Sequence, residues 1–126
     1  MGTKRPRPVV LDAGALIAID RADRRVIRLL ELAQEIHVPA GALAQAWRNP
    51  ARQVRLVRVV SSDGMVIHPL DAASARAAGQ LCAATATSDV IDASVVLVAR
   101  LLGAVTVTSD PGDLRRLDHT IDLVPC

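Results

Sequence analysis

Short strand-like runs alternate with helical patterns along the 126 residues of this chain, and this alternation most constrains the fold. Apolar and β-branched runs bounded by proline, glycine or aspartate predict strands, which lie at 8–12, 36–38, 65–70, 104–108 and 121–124, the last as an edge strand. Alternating strands and helices favour a parallel sheet with right-handed crossovers. We therefore expect an α/β fold: a three-layer α/β/α sandwich with a mainly parallel sheet of four to five strands, formed by one domain over residues 1–126.

Apolar residues at helical spacing predict the connecting helices, which lie at 14–20, 22–35, 39–48, 50–61, 72–86, 89–102 and 111–117. Capping residues support several of these boundaries. Asp71 and Ser88 can each cap the helix that follows, and Gly103 can end the helix that begins near residue 89. Asp110 followed by Pro111 is typical of a helix start.

Two predicted strands end directly at an aspartate. Asp12 follows the first strand and Asp110 follows the strand at 104–108. The carboxyl ends of parallel strands share one edge of the sheet, where such folds bind ligands. Asp89 and Asp92 lie three residues apart at the start of a predicted helix and share one of its faces. If that helix end meets the same edge, all four aspartates converge.

A cluster of four carboxylates needs a compensating charge. Two carboxylates 4 Å apart repel each other by about 4 kcal/mol at an effective dielectric constant near 20. An oxygen-only site suits Mg²⁺ or Mn²⁺, and such an ion can assist attack of water on a phosphodiester. A purely structural reading stays open for Asp12, Asp89 and Asp110, which could be helix caps or first-turn acids. Asp92 is harder to explain in that way, because it lies inside an apolar helix.

Composition excludes several classes of protein. The chain has no Phe or Tyr and only one Trp, which excludes a sheet of aromatic residues that stacks on bases. Two cysteines do not form a disulfide framework, and this favours a reducing compartment. No uncharged apolar run approaches the roughly 18 residues of a membrane span. We therefore expect a cytoplasmic protein with no membrane partner.

Arginines predict a surface for nucleic acid. Arg48, Arg52 and Arg55 have the spacing of one helical face, although Pro50 could interrupt that helix. A basic face beside an acidic site suits binding of an RNA backbone. An ordinary solvated helix face explains the same pattern equally well.

Three segments in this order resemble the PIN domain family, and within it the VapC-type ribonuclease toxins: VVLDAGALIAI, VPAGALAQAWR and SDVIDASVVLVARLLGAVTVTSDPGDL. The resemblance covers most of residues 9–117. It implies a metal-dependent endoribonuclease in which Asp12, Asp92 and Asp110 bind Mg²⁺ or Mn²⁺, and in which Asp89 matches an additional acid of some members. It also implies a cognate antitoxin partner and a homodimer.

One position departs from the family pattern. Gln45 stands where the family commonly has a glutamate in the helix after the second strand. An amide cannot carry the charge or act as a base, although it can offer an oxygen to a water molecule. The alternative hypothesis is therefore a catalytically weakened PIN domain that binds RNA or an antitoxin without efficient cleavage.

Overall fold

The computed structural model describes residues 7–126 and contains a parallel sheet of five strands. The strands are β1 (Val9–Leu11), β2 (Ile36–Pro39), β3 (Met65–His68), β4 (Val105–Thr108) and β5 (Asp122–Pro125). Their order is β3-β2-β1-β4-β5, and each neighbouring pair is parallel. The α/β class and the parallel sheet expected from the sequence are thus confirmed. β1 lies at the centre, so its carboxyl end reaches the middle of the sheet edge.

Seven helices connect or flank the strands in the described part of the chain. They are α1 (Ala13–Asp20), α2 (Arg24–Leu32), α3 (Ala40–Ala46), α4 (Val54–Val60), α5 (Ala72–Thr85), α6 (Val90–Leu102) and α7 (Pro111–Leu117). Within residues 7–126, no single helix has both the length and the apolar character needed to cross a membrane; α5 and α6, bent by 103° relative to each other, reach those limits only as a pair.

The sheet separates two apolar cores. Val10 points into a core formed mainly by α5, α6 and α7. Val9 and Leu11 point the other way, into a core with α1, α2 and α4. Because successive side chains of a strand face opposite sides of the sheet, one short strand supports both layers. α3 contributes to both cores through Ala42 and Ala46.

Two predicted helix starts were wrong. The helix expected at 50–61 begins only at Val54. The Gln53 side chain holds the preceding turn instead, because it accepts from the Arg48 N–H and donates to the Ala46 carbonyl. α6 is capped by Asp89 rather than by Ser88. Aspartate and serine are comparable helix caps, and the sequence pattern alone did not distinguish these neighbours.

Candidate active site

Asp12 is buried where β1 meets α1. Its N–H donates to the Val107 carbonyl at 3.3 Å, which joins the end of β1 to β4. Its Oδ1 accepts a hydrogen bond from the Ala15 N–H at 2.8 Å and so caps α1. Burial raises the pKa of Asp12, as does the nearby charge of Asp110, whereas hydrogen bonds from Thr108 and Ala15 lower it. The carboxylate of Asp12 therefore caps α1, and the charge of Asp110 acts on it as well.

Asp89 and Asp92 lie at the start of α6. Oδ1 of Asp89 accepts from the N–H groups of Ile91 and Asp92, at 3.0 and 2.9 Å. The carboxyl of Asp92 is half-buried one turn further on, and its pKa is raised to about 7. Burial is the largest cause, followed by repulsion from four carboxylates: Asp89, Asp12, Asp113 and Asp110. The structure thus brings the four predicted aspartates into one shared electrostatic field.

Asp110 begins α7 without capping it through its side chain. Its backbone N–H donates to Thr108 Oγ1 at 2.9 Å, and Ser109 Oγ donates to its Oδ2 at 3.4 Å. The helix start has no side-chain capping bond, so the expectation that this carboxylate caps the helix was wrong. Pro111 at the first position lacks an N–H in any case. The carboxylate of Asp110 is exposed and remains available to a ligand.

The part of the chain that carries these acids matches a known protein family. A model of the PIN domain matches residues 9–120, which include all four aspartates. The chain belongs to the PIN domain family. Comparison with curated proteins gives no match.

Solved structures with the same fold include three complexes. One is VapBC2 from Rickettsia felis bound to a DNA fragment from its promoter, with a TM-score of 0.69 at 17% identity over 94% of this chain and 98% of that chain. FitAB bound to the IR36 DNA fragment has a TM-score of 0.64 at 15% sequence identity, over 93% of this chain and 94% of that chain. FitAcB from Neisseria gonorrhoeae has a TM-score of 0.60 at 14% sequence identity, over 91% of this chain and 95% of that chain. At such identities, the likeness concerns the fold of this PIN domain.

The side chains of this PIN domain fit a hard cation by their chemistry rather than by a preformed shell. Among residues 7–126, no group of three or more His, Cys, Asp or Glu side chains is arranged closely enough to hold a metal ion. The acids nevertheless offer only oxygen atoms, the ligands that Mg²⁺ and Mn²⁺ prefer. Their mutual repulsion at Asp92 is the kind that a divalent cation relieves. Binding would require the carboxylates to move closer together.

Gln45 belongs to the helix that follows β2. It is exposed on α3, and its side chain makes no hydrogen bond within residues 7–126. It also lines neither of the grooves beside the aspartates. A catalytic contribution from Gln45 stays a prediction.

The predicted arginine stripe does not form one helical face. Arg48 follows the end of α3, Arg52 lies in a turn and only Arg55 is in α4. The chain turns at Pro50, as its missing N–H and fixed φ favour. Arg48 also donates to the carbonyls of Ala44 and Trp47 at the end of α3. Hence the proposed face was wrong, and an RNA-binding role for these arginines remains untested.

Two residues near the acids were missed or underestimated by sequence reasoning. The charge of Asp113 helps to raise the pKa of Asp92. Arg116 lies in the same groove as Asp92. Both follow Asp110 at steps of three residues along α7, so helical spacing counted from Asp110 could have identified them.

Proposed function

We propose that this PIN domain is a Mg²⁺- or Mn²⁺-dependent endoribonuclease that hydrolyses RNA phosphodiester bonds as the cytoplasmic toxin of a toxin–antitoxin pair. The observation that carries the proposal is the position of the half-buried carboxyl of Asp92 among four other aspartates. Burial and the charges of four other aspartates raise its pKa to about 7. Strongly perturbed acids in a cleft are typical of functional sites, and this cluster lies where parallel sheets bind their ligands.

Asp12, Asp92 and Asp110 would hold the cation, with Asp89 close to them. A bound divalent cation would neutralise these acids and stabilise negative charge that develops on a phosphodiester under attack. Hydrogen bonds within the chain orient two of these aspartates. The Ala15 N–H donates to Asp12 Oδ1 at 2.8 Å, and the Asp110 N–H donates to Thr108 Oγ1 at 2.9 Å. The rigid ends of β1 and β4 thereby limit the positions of two carboxylates before any ligand arrives.

Cleavage of labelled RNA is the direct test. The wild-type protein should cleave with Mg²⁺ or Mn²⁺ and stop when EDTA removes the ion. Asp12→Asn and Asp92→Asn should each lower kcat by at least about 100-fold, a typical loss for electrostatic groups in an active site. Asp63→Asn is the matched control, because Asp63 is exposed and lies in the turn before β3, whose strand is at the far side of the sheet from β4. Cleavage that persists in EDTA, or unchanged activity in both site variants, would reject the proposal.

Metal binding can be measured without RNA. Mn²⁺ should raise the melting temperature of the wild-type protein, because a ligand that binds only the folded state stabilises it. Asp12→Asn and Asp110→Asn should lose most of this increase, whereas Asp63→Asn should retain it. An equal increase in every variant would place the ion elsewhere.

We infer that the protein partner is a cognate antitoxin. The support is the fold shared with chains solved in the VapBC2 and FitAB complexes. The expected homodimer is a further proposal, which sedimentation of the purified chain tests directly. Stoichiometric addition of the antitoxin should abolish RNA cleavage; cleavage that is unaffected by a bound antitoxin would contradict its role as inhibitor.

A further inference from the structure

We propose that one RNA strand crosses the aspartates through two grooves on opposite sides of the sheet, with a phosphate bound by Arg116 in one groove and a phosphate bound by Arg21 in the other. This inference rests on the proposed ribonuclease function and adds the path of its substrate. Neither arginine belongs to the stripe expected from the sequence.

The first groove, called the α7 groove, has a volume of about 570 Å³. Asp89 and Asp92 line it together with Asp113 and Arg116 of α7. The hydroxyl-bearing residue Ser88 lies in its wall as well. This groove therefore combines three carboxylates with one cation and a hydrogen-bonding group.

The second groove, called the α1 groove, has a volume of about 530 Å³. The α1 segment lines it with Gly14, Ile17, Ala18 and Arg21, and Asp23, Ser109 and Cys126 complete the lining. The helices around the α7 groove pack on one face of the sheet, and α1 packs on the other. The two grooves consequently open on opposite sides of the same sheet edge.

Asp12 and Asp110 are neighbours in sequence of residues that line the α1 groove. Each adjoins a residue of the α1 groove, since Gly14 follows Asp12 by two positions and Ser109 precedes Asp110. Asp110 is exposed, and Asp113, three residues further along the chain, lines the α7 groove. Along the chain, exposed Asp110 thus lies between a residue of one groove and a residue of the other.

The two arginines are available for phosphates. Within residues 7–126, the guanidinium groups of Arg21 and Arg116 make neither an ion pair nor a hydrogen bond, and both residues are exposed. A guanidinium binds phosphate through paired N–H donors. One cation on each side of an acidic centre offsets the repulsion that a polyanion meets there.

The occupant fits a single strand better than a duplex. A path from one face of the sheet to the other bends around an edge, which a flexible strand can follow and a stiff helix cannot. Recognition would depend on phosphate contacts, because Trp47 is the only aromatic residue of the Phe, Tyr and Trp types and lines neither groove. We therefore expect binding that tolerates many base sequences and weakens steeply with salt.

Fluorescence anisotropy with a labelled single-stranded RNA of about 10 nucleotides tests this path on the full chain. Binding is measured in EDTA and, on an Asp92→Asn background, in Mg²⁺, so that cleavage does not remove the ligand. Arg116→Gln and Arg21→Gln should each raise Kd about tenfold and reduce the slope of log K against log salt by about 0.7. Arg115→Gln and Arg24→Gln are matched controls, because each is an exposed neighbour outside the grooves and should change Kd less than twofold.

The double variant Arg21→Gln/Arg116→Gln should multiply the two losses if one strand occupies both grooves. The path is overturned if either groove variant equals its control, or if the wild-type protein does not bind RNA at all. The nuclease proposal fails separately: if both arginine variants weaken binding as expected and the wild-type protein cleaves no RNA with Mg²⁺ or Mn²⁺, the grooves bind RNA without hydrolysing it.

Discussion

Gly14 packs so closely against Ser109 that a Cβ at position 14 would lie 1.8 Å from Ser109 Oγ and 2.6 Å from Ser109 Cβ. This contact fixes the start of α1 against the end of β4, beside Asp12 and Asp110. We expect Gly14→Ala to cost about 1–3 kcal/mol of stability, as overpacking usually does, and to lower RNA cleavage at least tenfold. Urea denaturation and single-turnover cleavage measure the two effects.

Removal of the opposing side chain provides the control for Gly14→Ala. Ser109→Gly takes away both atoms that the new methyl group would strike, so Gly14→Ala/Ser109→Gly should recover most of the stability relative to Ser109→Gly alone. Equal losses for Gly14→Ala in the two backgrounds would show that the contact is not responsible.

The carboxyl of Asp92 predicts a pH dependence of stability in the absence of divalent cations. Its pKa is raised to about 7 in the folded state from 3.8, so the folded protein holds this proton more tightly than the unfolded chain. Its contribution to stability is complete below pH 3.8 and is lost as the pH rises through about 7. Asp92→Asn, which cannot ionise, should therefore gain stability relative to the wild-type protein between pH 5 and pH 8.

The gain for Asp92→Asn should be roughly 2 kcal/mol, about half of what the full shift represents, because solvent screens a half-buried carboxylate. Urea denaturation in EDTA at a series of pH values measures it. Asp63→Asn serves as the control and should show no such trend. A constant difference between wild type and Asp92→Asn across this range would contradict the assignment.

Asp118 predicts a local effect on stability at the junction of α7 and β5. Its Oδ1 accepts from the N–H and hydroxyl of Thr120, and its Oδ2 lies 2.6 Å from Arg100 Nε. The hydrogen bonds from Thr120 and Arg100 lower its pKa to about 2. Stability from this carboxylate is present above pH 3.8 and lost as the pH falls through about 2. We expect Asp118→Asn to cost about 1 kcal/mol at pH 7, since solvent reaches nearly half of the Arg100 side chain and screens the pair.

The cost of Asp118→Asn should shrink towards zero in acid, which thermal unfolding at pH 7 and near pH 2 can show. Asp122→Asn offers a comparison, because Asp122 pairs with Arg7 at 2.6 Å while both side chains are largely exposed. Exposed pairs contribute little, so its cost should be smaller. A larger cost for Asp122→Asn than for Asp118→Asn would contradict this ranking.

Local chemistry made much of the fold and of the acid cluster predictable. Asp12 and Asp110 each follow a strand that is almost entirely buried. A parallel sheet brings the carboxyl ends of its strands to one edge, which leaves few alternatives for where these residues meet. Side-chain choices in loops were less predictable. Gln53 replaced a helical turn near Pro50 through hydrogen bonds to Ala46 and Arg48, and such bonds depend on tertiary placement that a one-dimensional pattern does not contain.

Gln45 provides the test of the weakened-nuclease alternative. Because Gln45 is exposed and makes no side-chain hydrogen bond within residues 7–126, we expect Gln45→Glu to change kcat for RNA cleavage less than about fivefold, below the range typical of a general base. Gln80→Glu on α5 is the matched control, because it adds the same charge at another exposed position. A gain of 100-fold or more for Gln45→Glu alone would instead establish that the missing carboxylate limits this PIN domain, and that the chain as it stands binds RNA more readily than it cleaves it.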